Sequence, residues 1–175
     1  MPKNTTNLAD YIRSVPDFPT TGILFRDITP LLADRDAFSA AVDALAAPFV
    51  NAKIDYVAAV EARGFIFGAA VAKALNAGFI PIRKHGKLPY KIQSVTYTLE
   101  YGTDTVEVHS DAAEPGSKVL MVDDLLATGG TMAAACELIE KLRAQIYGLA
   151  FLIELTDLNG RKKLTKYGIH CVISY

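Results

Sequence analysis

The chain has 175 residues with 18 basic and 19 acidic side chains, and a formal net charge of −1 excludes the large uncompensated basic surface that nucleic-acid binding demands. Hydrophobic residues at 51% and charged residues at 21% exclude a disordered or collagen-like chain, and the length suits a single domain (1–175) that buries a core without disulfides or structural metal. Two cysteines, Cys136 and Cys171, in apolar-periodic stretches read as reduced buried thiols; with no apolar leader in MPKNTTNLADYIRSVPDF and no run of roughly 20 apolar residues, a cytoplasmic protein without a membrane partner is expected.

Residues 4–13 predict a short helix, and PDFPTTGILFRDITP, with prolines at 16, 19 and 30, predicts an irregular segment that is nonetheless apolar enough to be tied down. DRDAFSAAVDALAAPFV has helical spacing, with Asp34 or Asp36 placed as N-cap. YVAAVE reads as a strand turning at residues 62–64 into the helix FIFGAAVAKAL; FIPIRK reads as the next strand and GKLPYK as a basic loop. From Ser94 to His109 the residues alternate, with Val95, Tyr97 and Leu99 on one face before a Tyr-Gly-Thr-Asp turn and TVEVH, the pattern of an antiparallel hairpin. Residues 118–122, a helix from Gly130 to about Ala144, and the strands YGLAFLIEL and IHCVISY complete the alternation. His109 and His170 fall in strand patterns and read as structural. The expected fold class is α/β, a central, mostly parallel sheet flanked by helices with a hairpin inserted.

The stretch VLMVDDLLATGGTM, residues 119–132, carries the chemistry. A buried-type strand ends in Asp123 and Asp124, and a Thr-Gly-Gly-Thr turn then opens a helix. Small residues let backbone N–H groups approach an anion, and the helix adds its unpaired donors and positive dipole end. Two carboxylates beside such a nest would repel a ligand that is phosphate throughout, so they face a different part of it, or a metal. In open α/β sheets ligands gather beyond the carboxyl ends of the strands. There this segment meets Glu61-Ala62-Arg63-Gly64 and Lys84-His85-Gly86-Lys87. The division points to a monophosphate in the nest, a diol under the carboxylates and a polyanion under Arg63, Lys84 and Lys87.

VLMVDDLLATGGT resembles the binding motif for 5-phosphoribosyl-1-pyrophosphate (PRPP) of the type I phosphoribosyltransferases. No Gly-Lys-Ser/Thr follows it, as in a Walker A loop, and no G-x-G-x-x-G is present. FPTTGILFRDITPLL, EARGFIFG, RKHGKLPYK and LEYG resemble the branch of that family that uses adenine. The resemblance implies transfer of the phosphoribosyl group to N9 of adenine, giving AMP and pyrophosphate in purine salvage. It places the 5-phosphate and ribose on Asp123, Asp124, Ala127, Thr128, Gly129, Gly130 and Thr131. Pyrophosphate falls to Arg63, Arg83, Lys84, Lys87 and Tyr101, and adenine to Leu24, Phe25 and Arg26. Glu100 becomes the catalytic base. The resemblance further implies Mg²⁺ held mainly through PRPP and water, a homodimer, a base-binding hood segment at about 1–33, and a flexible loop and hairpin at about 86–109. It also implies a cis peptide at Ala62–Arg63, and it gives His85 no role.

Each assignment competes with an ordinary one. Asp123 and Asp124 could simply end a strand and cap a helix; two acids abutting a nest argue otherwise. Lys84, Lys87 and Glu100 are residue types that usually serve as solvated surface charges, and Phe25 between apolar neighbours is usual core packing. Two other functions use the same fold: transfer to a 6-oxo purine, against which FPTTGILFRD argues, and a regulatory sensor of PRPP, which would call for a nucleic-acid-binding surface.

Overall fold

Apolar runs rich in valine, isoleucine and alanine become strands where both sheet faces are covered, and the stretches of helical spacing provide the cover. The computed structural model describes residues 7–99 and 102–175. Strands β1 (Arg13–Pro16) and β2 (Leu24–Asp27) precede helices α1 (Thr29–Ala33) and α2 (Arg35–Ala46). Then come β3 (Tyr56–Val60), α3 (Arg63–Leu75), β4 (Gly78–Lys84), β5 (Ile92–Thr98), β6 (Thr103–His109), β7 (Lys118–Leu126), α4 (Gly130–Lys141), β8 (Gln145–Glu154) and β9 (Ile169–Ser174). Asp34 caps α2, its Oδ1 accepting from the Asp36 and Ala37 backbone N–H groups at 3.0 and 2.8 Å.

Seven strands form one sheet in the order β5-β6-β4-β3-β7-β8-β9. The strands from β4 to β9 in this order are parallel, and the antiparallel hairpin β5–β6 joins through Arg83↔Glu107 and Lys84↔Val106. Along β7, Val119 and Met121 pack on the α4 side while Leu120 and Val122 pack with α2 and α3, so the period of two divides the core between the faces. Phe67 and Phe151 are fully buried, one on each side; truncating a phenylalanine so placed to alanine costs about 3–5 kcal/mol. His170 Nε2 lies 2.9 Å from the Ala44 carbonyl, a contact that links β9 to α2.

Several expectations need correction. The described part of the opening helix is a single 3₁₀ turn, Leu8–Tyr11. The proline-rich segment is not irregular throughout: β1 and β2 pair in antiparallel register, Val15↔Phe25. Pro16 falls at a strand end and Pro30 in the first turn of α1, places where no N–H is required. Helix α4 stops at Lys141 rather than near Ala144, because Arg143 takes a left-handed φ of 62°. Strand β7 runs through both acids to Leu126, since β8 pairs with it as far as Leu126↔Glu154. The hairpin pairs as far as Thr98↔Thr103, so Thr103 and Asp104 belong to β6 rather than to the expected Tyr-Gly-Thr-Asp turn. The non-proline cis peptide is Glu61–Ala62, one residue before the expected position. Among the described residues no helix is long and apolar enough to cross a membrane.

Candidate active site

Strand β3 has β4 on one side and β7 on the other, so the chain winds in opposite directions from it, and the crevice beyond β3 and β7 is where such a sheet opens for a ligand. A cleft of about 290 Å³ lies there, walled by residues 60–64, Lys84 and residues 123–132. Two helices begin at it, α3 at Arg63 and α4 at Gly130, and both point their free N–H groups and positive ends at the same space. Sequence spacing identified that role for α4 alone.

The acids sit against this positive field. Asp124 is almost fully buried, and Arg63 Nη2 lies 2.6 Å from its Oδ2. Asp123 is partly buried as a residue, yet its carboxylate faces the first turn of α3: a Cβ on Gly64 would come within 2.7 Å of Asp123 Oδ1. Burial, followed by the neighbouring Asp124 charge, pushes the Asp123 carboxyl well above the usual carboxylate range, while the Asp124 N–H donated to its Oδ1 at 2.9 Å opposes the rise.

The phosphate nest is shaped from behind. Gly129 has φ 77°, and a Cβ there would meet the Gly160 carbonyl oxygen at 2.5 Å; a Cβ on Gly160 would meet the Ala127 carbonyl at 2.4 Å. Backbone therefore packs on backbone, which only glycine permits. The 3₁₀ turn Gly160–Lys163 is pinned by Arg161, whose Nε and Nη2 donate to the Glu154 oxygens at the end of β8, both at 2.7 Å. Ala127, Thr128, Gly130 and Thr131 line the cleft, and Thr131 Oγ1 lies 3.1 Å from the Tyr97 hydroxyl.

The cations arrive in two groups. Glu61, at the end of β3, gathers the β4 loop: its carboxylate accepts from Lys84 N–H at 2.7 Å, Lys87 Nζ at 3.0 Å and Arg83 Nη2 at 3.3 Å. Burial alone would raise the Glu61 carboxyl, but these hydrogen bonds outweigh it and hold it below its usual value. Lys84 Nζ instead pairs with Asp104 of β6 and donates to the Tyr97 hydroxyl at 3.1 Å. Arg63 and Lys84 line the cleft, whereas Arg83 and Lys87 reach its wall through Glu61. His85 lies beside the buried Glu107, Nδ1 to Oε1 at 2.5 Å, and Gly86 N–H donates to the other oxygen at 3.0 Å.

The base segment approaches the cleft at Phe25: the Arg63 guanidinium lies 5.1 Å from its ring centroid, and Phe18 meets the same ring edge-on at 5.1 Å. Arg26 turns away, stacking at 3.7 Å on Tyr175 and donating to Ser14 Oγ at 2.7 Å, which anchors the β1–β2 pair to the end of the main sheet. Glu100 and Tyr101 lie outside the described residues. Glu61, Tyr97, Asp104 and Gly160 were not identified from sequence. Glu61 carried the one usable signal, its place in EARGF at a strand end.

Residues 32–173 match the family model described as a phosphoribosyl transferase domain. The adenine phosphoribosyltransferase of Dinoroseobacter shibae is 58% identical over 170 residues, covering 96% of this chain and 95% of the relative. The crystal structure of the enzyme of that name from Thermoanaerobacter pseudethanolicus superposes with a TM-score of 0.94 at 49% identity, covering 98% of this chain and 99% of the other. The Saccharomyces cerevisiae enzyme, complexed with an imino-altritol bisphosphate and adenine, gives 0.91 at 41% identity, covering 96% and 97%. With the acid pair, the nest and the cation loops assembled in one cleft, the chain belongs to the adenine phosphoribosyltransferases, which convert adenine and PRPP into AMP and pyrophosphate in purine salvage.

Proposed function

We propose that this cleft performs the transfer by treating the three parts of PRPP differently. The backbone of residues 127–131 and the hydroxyls of Thr128 and Thr131 hold the 5-phosphate at the start of α4. Asp123 and Asp124 accept from the ribose hydroxyls, and their charge favours the positive character that grows at the anomeric carbon as pyrophosphate departs. Arg63, Arg83, Lys84, Lys87 and Tyr101 take up the negative charge of the leaving group. The observation that carries this reading is the pairing of two acids with two helix N-termini around one cleft.

Adenine then lies against Phe25. The two-residue spacing of Leu24 and Arg26 along β2 turns their backbone groups to the same edge, where an N–H facing N1 and a C=O facing the 6-amino group accept adenine and reject a 6-oxo purine. N9 bonds to the anomeric carbon as the carbon–pyrophosphate bond breaks, and the imidazole-ring proton passes to Glu100 as the hairpin closes and excludes water. Mg²⁺ would be held mainly through PRPP oxygens and water rather than by direct protein ligands, with the carboxylates of Asp123 and Asp124 in the same cleft suiting a cationic neighbour, and it would supply neutralisation of the pyrophosphate charge. A single domain is proposed on length, a cytoplasmic location on the two reduced thiols, and a homodimer on family resemblance. Offering PRPP and Mg²⁺ with adenine, hypoxanthine, guanine or orotate tests the reading. Nucleotide is expected from adenine alone, and comparable turnover of hypoxanthine overturns it.

A further inference from the structure

Lys84 is the one cation of the β4 loop that lines the cleft, and its ammonium is already committed. It pairs with Asp104 Oδ2 from β6 and donates to Tyr97 Oη from β5, while that hydroxyl also lies 3.2 Å from Asp104 and 3.1 Å from Thr131 Oγ1. Four polar side chains thus connect the hairpin, the cation loop and the phosphate nest. Two of them, Lys84 and Thr131, are ligand groups in the proposed function. Asp104 itself does not line the cleft, so the Lys84 ammonium is held by a carboxylate from outside the cleft wall. The Lys84 and Asp104 side chains are 35% and 30% exposed, so the pair is neither sealed in the core nor fully dissipated by water.

We propose that Asp104 is an internal competitor of PRPP for the Lys84 ammonium, and that it sets how tightly the chain holds PRPP and pyrophosphate. The inference rests on the assignment of Lys84 to pyrophosphate. A diphosphate reaching Lys84 must weaken an existing ion pair, and the work of doing so is subtracted from its binding. Tyr97 extends the competition to the nest: a phosphate that takes the Thr131 hydroxyl draws it from Tyr97, the same side chain that steadies Lys84 on Asp104. Adenine meets none of these groups, so its affinity is independent of them.

Asp104→Asn is a clean substitution, because the amide oxygen still accepts the Thr105 N–H that Asp104 Oδ1 holds at 2.8 Å. Calorimetric Kd values for PRPP and pyrophosphate, with KM for PRPP and adenine, are measured for the wild type, Asp104→Asn, Asp104→Glu, Lys84→Ala and the double variant Lys84→Ala/Asp104→Asn. Asp104→Asn is expected to tighten PRPP and pyrophosphate by a similar factor of about two to five, the range for a partly exposed ion pair. Adenine KM stays unchanged, and Asp104→Glu restores wild-type affinity. In the Lys84→Ala background the Asn substitution has no further effect. Unchanged or weakened PRPP binding in Asp104→Asn, with Lys84→Ala still weakening it, overturns the competition while leaving the Lys84 assignment intact; tightening that persists without Lys84 also overturns it. Unaltered PRPP affinity in Lys84→Ala overturns the assignment on which the proposal rests.

Discussion

Arg63 and Asp124 meet at 2.6 Å across the cleft, joining the residue assigned to pyrophosphate to one assigned to ribose. The Asp124 side chain is 7% exposed and that of Arg63 is 32%, so the carboxylate depends on the pair more than the guanidinium does. Removing the charge of Asp124 therefore releases Arg63 as well as weakening the negative field at the anomeric carbon. Asp124→Asn, which keeps the shape, is expected to lower kcat by about 100-fold, the size of a lost transition-state charge contact. Rates at saturating adenine and PRPP, beside a thermal melt, check this; unchanged kcat would mean that the acids only shape the loop.

Asp123 makes a prediction about stability. Its folded-state carboxyl is raised by burial and by Asp124, so between the unfolded value of about 4 and that raised value the native state holds a proton that the unfolded chain has released. Stability attributable to this group falls as pH rises through that window. Asp123→Asn is expected to raise Tm at pH 7, with the gain disappearing below about pH 4, while activity falls. Melts of both proteins from pH 3 to about pH 8 decide it; a variant less stable at pH 7 refutes the electrostatic account.

Gly160 touches no substrate in the proposed function, but its backbone supports the nest. Gly160→Ala would drive a Cβ into the Ala127 carbonyl, and overpacking of this kind costs about 1–3 kcal/mol. PRPP KM should rise several-fold with adenine KM unchanged. Equal shifts in both constants would show that the damage is general rather than confined to the phosphate loop.

Glu100 is argued from family resemblance alone. Glu100→Ala should fold and bind PRPP yet turn over about 10²–10⁴-fold more slowly, the usual worth of a positioned acid–base group. Glu100→Gln distinguishes proton acceptance from hydrogen bonding, since near-normal turnover in that variant would make the residue a positioner of adenine.

The acid pair, the nest and the helix that follows were legible because they form one continuous segment, in which a short apolar run, two carboxylates and four small residues each have a local physical meaning. Helix α2 and its Asp34 cap were legible for the same reason. The β1–β2 pairing was not, because proline content describes what a backbone cannot donate and leaves open the edge positions where donation is unnecessary. The pairings inside the site were invisible for a stronger reason. Glu61 meets Lys84 and Lys87, Lys84 meets Asp104, and Gly129 meets Gly160 only because the strand order places β4 between β3 and β6 and because Arg161 folds its turn back on β8. The sequence by itself determined which chemical groups the chain owns and which local elements carry them. Tertiary structure decided which charge neutralises which, because a Coulomb interaction depends on distance through space and on burial, and neither is written in the spacing of residues along the chain.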